Sequence, residues 1–290
     1  MTAIISTAYS RDLGDELRRL RETCTKLGGR AMAAQLGWDP SKVSNIENGK
    51  ARASDIDLAQ YLATCGKDFD FLDDFRNRYR HAFDMCFAQV SNNLRTLAMT
   101  ESMATKITAY DVLTVPGLVQ TRSYAHALFT ETGRVAEAEI EEFVRLRMER
   151  QVIWRRPYRP ECTFFVHELA LRMGLGDDQV MRDQYRRLLF TTHVLRIVPA
   201  EARGAAHLSK CTLFEFDKAP PVAYTESDLA NVFAQDSAAI AQTRTLFRRL
   251  EAVALDEQQS RRKLAEYVGP LREDHHEPRT DLAQEHLQQR

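Results

Sequence analysis

The sequence has no apolar run close to the ~18 consecutive residues that a membrane-spanning helix needs, so no such helix is expected. Met1 to Arg11 holds no basic segment followed by an apolar stretch, so no secretory signal is expected either and a cytoplasmic location is predicted. Cysteine is scarce. Cys24, Cys65, Cys86, Cys162 and Cys211 are odd in number, far apart and never in a C-x-x-C pair. That argues against a disulfide framework and against a zinc site, and predicts reduced, mostly buried thiols. Neither sign of charge dominates: 40 Lys and Arg stand against 41 Asp and Glu. The whole chain is therefore no polycation, and any attraction to nucleic acid must be local. Internal repeats and low-complexity tracts are absent.

Catalytic signatures are missing as well. His167-Glu168-Leu169-Ala170-Leu171 begins like a zincin helix, but its fifth position is Leu171 and the second histidine ligand is lost. Gly174-Leu175-Gly176 lacks a third glycine and a preceding strand, and neither a P-loop nor G-x-S-x-G occurs. His275-His276 has no Cys or His partner, and Glu137, Glu139, Glu141 and Glu142 read as a solvated helix face. No cofactor, no metal and no enzymatic activity are expected.

What is there suffices for two domains: 290 residues, of which 44% are hydrophobic. Residues 1–10 read as a flexible N-terminus, 11–90 as a helical domain, 100–268 as a mixed domain and 269–290 as a polar, flexible tail. From residue 11, Leu13, Leu17 and Leu20 recur at helical spacing with Arg18, Arg19, Arg21 and Glu22 turned outward. Short helices follow over Arg30–Leu36 and Pro40–Asn48, and Ser54 caps another with Ile56, Leu58 and Leu62 inward; five helices and no strand fill the stretch to about residue 90. Beyond residue 100 the strand candidates are 106–110, 162–166, 194–198, 211–216 and 222–225. Helices are expected over 122–130, 136–155, 177–192, 235–255 and 256–268. Strands and helices without regular alternation predict an α+β fold. Phe164, Phe165, Phe214, Phe216, Tyr224 and Phe233 read as core, in a sheet with room for a small-molecule pocket.

Function is most legible between Leu36 and Gly49. Gly37 permits a tight turn, Asp39 is an N-cap, Pro40 fits the first helical position, and Asn48-Gly49 stops the helix. Trp38 and Val43 occupy the two positions of a hydrophobic staple. Val43 and Ile46 point to a core, which leaves Ser41, Lys42, Ser44 and Asn45 outside. Those are side chains that a helix in a DNA major groove presents to base edges and phosphates. Arg18, Arg19, Lys50 and Arg52 flank the unit. Residues 11–53 hold nine Lys and Arg against six Asp and Glu, a mildly basic segment in a chain otherwise acidic. Gly37 between two short helices is the signature of a helix-turn-helix.

Taken together, Leu13-Gly14, Leu17-Arg18-Arg19-Leu20-Arg21, Leu36-Gly37-Trp38, Ser41-Lys42-Val43-Ser44 and Ile46-Glu47-Asn48-Gly49 resemble the Xre/Cro-type repressors of actinobacteria. Val115-Pro116-Gly117-Leu118-Val119-Gln120-Thr121, Arg145-Leu146-Arg147-Met148-Glu149-Arg150-Gln151 and Phe165-Val166-His167-Glu168 are similar to the second domain of WhiJ-like regulators. The resemblance covers about residues 11–268. It implies a transcriptional regulator, often encoded beside a small partner protein and likened to the antitoxin of a toxin–antitoxin pair. The first helix of the reading unit usually opens Thr-Gln-Glu; here Gly28, Gly29 and Arg30 stand there, and Arg30 becomes the substitute phosphate contact. Pro40 replaces a polar side chain. Double-stranded DNA is the expected partner, read by a homodimer. The alternative is an interaction module that binds DNA feebly and sequesters a small partner protein.

Overall fold

In the computed structural model, which describes residues 6–89, 94–227 and 229–268, the helical periodicity at the start of the chain becomes five helices. They are α1 (Ala8–Leu20), α2 (Gly29–Leu36), α3 (Pro40–Glu47), α4 (Asp55–Thr64) and α5 (Phe69–Tyr79), with a π-helical turn over Arg21–Thr25. Leu13, Leu17, Met32, Val43, Ile46, Leu58, Leu62 and Phe75 bury together in their shared core. Fully burying one such side chain is worth about 1.5–3 kcal/mol.

Three details differ from the sequence reading. Helix α1 begins at Ala8, inside the stretch expected to be flexible, because Thr7 and Ser10 form a reciprocal capping box and residues 7–10 are buried. Ile56 is 70% exposed while Leu58 and Leu62 are buried. Two residues along a helix turn the side chain by about 200°, which puts Ile56 on the opposite face. Arg21, expected to point outward, is 5% exposed.

The rest of the chain builds one seven-stranded sheet in the order β1-β7-β6-β5-β2-β3-β4. The strands are β1 (Cys86–Gln89), β2 (Lys106–Asp111), β3 (Glu161–His167), β4 (Leu195–Val198), β5 (Cys211–Glu215), β6 (Val222–Glu226) and β7 (Asn231–Ala234). The pairs β2–β3 and β3–β4 are parallel and the others antiparallel. The α+β expectation holds. Strand β1 lies in the stretch read as helical and as part of the first domain, yet it pairs with β7, Cys86 opposite Ala234. Unlike the equally short edge strand β4, Cys86-Phe87-Ala88-Gln89 holds no β-branched residue to mark it, and it takes its identity from its partner.

Helices α6 (Leu94–Met103), α7 (Arg122–Thr132), α8 (Ile140–Arg150), α9 (Glu168–Arg172), α10 (Asp178–Leu189), α11 (Ser237–Val253) and α12 (Glu257–Val268) complete the fold. Alternation along the strands divides the interior. Tyr110, Phe165 and Leu213 meet Ile240, Phe247 and Leu250 of α11. Ile107, Ala109, Phe164, Phe214 and Tyr224 face the other way, in the core continuous with that of the helical head. All six aromatics read as core are buried except Phe216, which is partly buried. Burial of the thiols is less general than expected: Cys65 and Cys162 are buried and Cys211 half-buried, but Cys24 and Cys86 are exposed. Among the described residues no helix is long and apolar enough to cross a membrane. Residues 269–290, with His275-His276, lie outside the described residues.

Candidate nucleic-acid interface

The turn between α2 and α3 is closed by local chemistry. Gly37 adopts φ +66°, a left-handed conformation that glycine takes without steric cost. The N–H of Trp38 then returns to Ala33 O at 2.8 Å and closes the end of α2. Asp39 is extended, and its carboxylate accepts from Ser41 N at 2.7 Å. Hydrogen bonds from Ser41 hold the Asp39 carboxyl below the usual carboxylate range. Pro40 occupies the first helical position, where its missing N–H costs nothing. Trp38 packs against the core that holds Val43, as a staple requires.

Helix α3 therefore lies on the surface as a rod with two faces. Val43 and Ile46 are buried, whereas Ser41, Ser44 and Asn45 are exposed. Arg18, Arg30, Pro40, Ser41, Ser44 and Asn48 border a shallow groove beside the rod. Arg18 Nη2 donates to Asn48 Oδ1 at 2.7 Å, and Asn48 Nδ2 donates to Ser44 O at 2.7 Å, which fixes the far end of the groove. Arg30 stands exposed in the first turn of α2. Lys42 sits apart: its ammonium is 2.6 Å from Asp57 Oδ1 and 4.2 Å from the centre of the Trp38 ring. Lys50 and Arg52 follow the rod, both exposed, with the Arg52 guanidinium 5.1 Å from the Phe83 ring. Of the eight predicted residues, then, four line the groove, Asn45 shares the exposed face, Lys42 is drawn back, and two lie beyond.

The support beneath the rod was not predicted. Glu47, 5% exposed, accepts from Arg21 Nε at 2.7 Å, Arg21 Nη2 at 2.9 Å and the Tyr61 hydroxyl at 2.6 Å. Burial alone would push the Glu47 carboxyl up, but the hydrogen bonds from Arg21 and Tyr61 outweigh it and the group lies below its ordinary range. A signal existed: Arg21 is four residues from Leu17 and so shares its inward face. Two glycines complete the support. A Cβ on Gly14 would stand 2.6 Å from Glu47 O, so α1 crosses α3 backbone to backbone. Gly49, at φ +63°, would put a Cβ 2.4 Å from the carbonyl carbon of Ser10.

A capped, exposed helix following a tight turn, on a helical scaffold, defines a helix-turn-helix protein, the class of DNA-binding regulators. Comparison agrees, since residues 12–70 match the family described as a helix-turn-helix domain. Residues 94–266 match the domain of unknown function DUF5753, and the chain belongs to that family. No curated protein and no solved structure matches the chain.

Proposed function

We propose that this protein is a sequence-specific transcriptional regulator rather than an enzyme, reading the major groove with α3 as a homodimer. The observation that carries this reading is the exposed row Ser41, Ser44 and Asn45 on a helix whose opposite face is pinned by Val43, Ile46 and Glu47. The major groove is about 12 Å wide and admits a helix, where Asn pairs with adenine edges and Ser with several groups. Arg18, Arg30, Lys50 and Arg52 meet phosphates and set the register. One such unit reads few base pairs, so two heads engage half-sites about one helical turn apart. The second domain supplies dimerisation, sensing or docking. Genomic footprinting of the tagged protein is expected to return palindromic sites, and Asn45→Ala to relax their sequence preference. Retention that is identical for Asn45→Ala and wild type on specific and random DNA overturns the assignment of this face.

A further inference from the structure

The sheet face turned away from α11 is not packed solid. Beneath α6, α7 and α8 lies a cavity of about 300 Å³, at the lower end of the ~300–1,000 Å³ range of small-molecule sites. One half of its wall is apolar, with Phe129, Phe143, Phe164 and Phe214. The other half carries Glu101, Asp111, Arg147, Arg150, Lys210 and Glu226. Interiors keep charges only where they are paired. Glu101 takes both ends of Arg150, at 2.8 and 2.6 Å. Lys210 Nζ stands 3.2 Å from Asp111 and 3.1 Å from Glu226. The pull of Lys210 holds the Glu226 carboxyl near 2, so it stays ionised.

Arg147 has no carboxylate on it among the described residues. It is 8% exposed, donates through Nη1 to Gln120 Oε1 at 2.9 Å, and lies 4.4 Å from the centre of the Phe129 ring. Its Nε is buried without a hydrogen-bond partner. A buried donor left unmade costs about 1–3 kcal/mol, more for a charged group, and such an atom in a cavity wall invites an acceptor from outside the chain. Burial pulls the Arg147 pKa down to about 10, which leaves the group cationic at neutral pH. Asp111 and Glu226 also act on Arg147 across the cavity and favour its charged form, but neither makes a hydrogen bond or ion pair with it. Where a Cβ on Gly117 would stand, the nearest atoms are Arg150 Nη2 at 3.6 Å, Arg150 Nη1 at 3.7 Å and Arg147 Nε at 3.8 Å. Two guanidinium groups thus converge on a gap that exists because residue 117 has no side chain.

We propose that this cavity binds a small organic carboxylate, its carboxylate group seated over Gly117 between Arg147 and Arg150 and its apolar body against the phenylalanines. Glu101 holds Nε and Nη2 of Arg150, so the carboxylate meets Nη1 of Arg150 and the unpartnered Nε of Arg147, one charge-assisted hydrogen bond from each, and the aromatic half accepts the body. This gives the second domain a ligand of stated chemistry and does not rest on the DNA-binding reading.

The test is isothermal titration of the full chain with 3-phenylpropionate, indole-3-acetate and octanoate, each beside its own amide, matched in shape and uncharged. At least one acid is expected to bind ten-fold or more tighter than its amide. Arg147→Met removes that preference, while Arg145→Met, whose guanidinium is exposed and paired with Glu142 and Glu149 on the same helix, preserves it. Gly117→Val guards against a misfolded Arg147 variant, because its first carbon meets no atom closer than 3.6 Å and fills the gap; it is expected to abolish acid binding with the circular dichroism spectrum unchanged. Failure of all three acids to bind, equal affinity of acid and amide, or acid binding untouched by Gly117→Val overturns the proposal.

Discussion

Glu47 and Lys42 lie five residues apart on α3 and meet opposite fates. Glu47 is buried and satisfied by Arg21 and Tyr61, so removing a partner strands a charge. Losing one member of such a buried pair costs about 3–5 kcal/mol. Arg21→Met is expected to destabilise the head by about 3 kcal/mol, measured by urea unfolding followed through far-ultraviolet circular dichroism. Lys42 is half-exposed and already has a partner in Asp57. Asp57→Asn keeps an acceptor oxygen for the Ser54 N–H, the reciprocal bond of the α4 capping box, but releases the lysine. That variant is expected to bind DNA a few-fold tighter and to steepen the salt dependence by roughly one phosphate contact, and Lys42→Ala added to it to cancel both gains. Titration by fluorescence anisotropy at several salt concentrations reads both.

Helix placement depends on positions where nothing larger fits and on charges that tie helix to sheet. Gly49→Ala demands a Cβ inside the Ser10 backbone at a positive φ. The cost is expected at the top of the ~1–3 kcal/mol range for overpacking, with α3 displaced from α1 and DNA binding lost in parallel; thermal unfolding and anisotropy check the two. Glu168 is the corresponding tie for α12. It is fully buried, and its carboxylate accepts from the Tyr267 hydroxyl at 2.7 Å, Arg172 Nη2 at 2.8 Å and Ala200 N at 2.9 Å, with Lys263 Nζ at 3.2 Å. Burial alone would raise this carboxyl, yet these partners lower it to about 2. A carboxyl lowered on folding stabilises fully above its ordinary value near 4.5 and progressively less as pH falls towards 2. Glu168→Gln is therefore expected to be less stable than wild type at pH 7 and to lose that difference as pH drops through 4 to 2, in denaturant titrations across pH. Glu168 opens α9 directly after β3 ends at His167. The partners from α12 come nearly a hundred residues later, and no local pattern links them.

Across the whole molecule, head and sheet form one body rather than two beads. Arg95 of α6 reaches Asp12 at 3.1 Å and Glu16 at 2.9 Å on α1, and Thr96 Oγ1 donates to Asp12 at 2.7 Å. Gln235, the residue after β7, accepts through Oε1 from Ala8 N at 2.8 Å. The intact protein is expected to unfold in a single calorimetric transition, and Arg95→Ala to separate a lower, head-specific transition from the main one. The same helix α6 carries Glu101, which holds Arg150 at the cavity, so the cavity wall and the base of the DNA-reading head share one rigid element.

Local chemistry decided much of this protein. The Gly37 turn, the Asp39 and Ser54 caps and the alternation of the central strands act between near neighbours, and each is legible in order along the chain. So is the division of α3 into Val43 and Ile46 below, Ser41, Ser44 and Asn45 above. Only the tertiary structure decided that Lys42 turns back to Asp57, that Glu47 rests on Arg21 and Tyr61, that Cys86 begins a strand, and that Arg147 faces a cavity with its Nε unmet. Those outcomes depend on desolvation and on pairing between residues far apart in sequence, and neither exists until the chain has closed on itself.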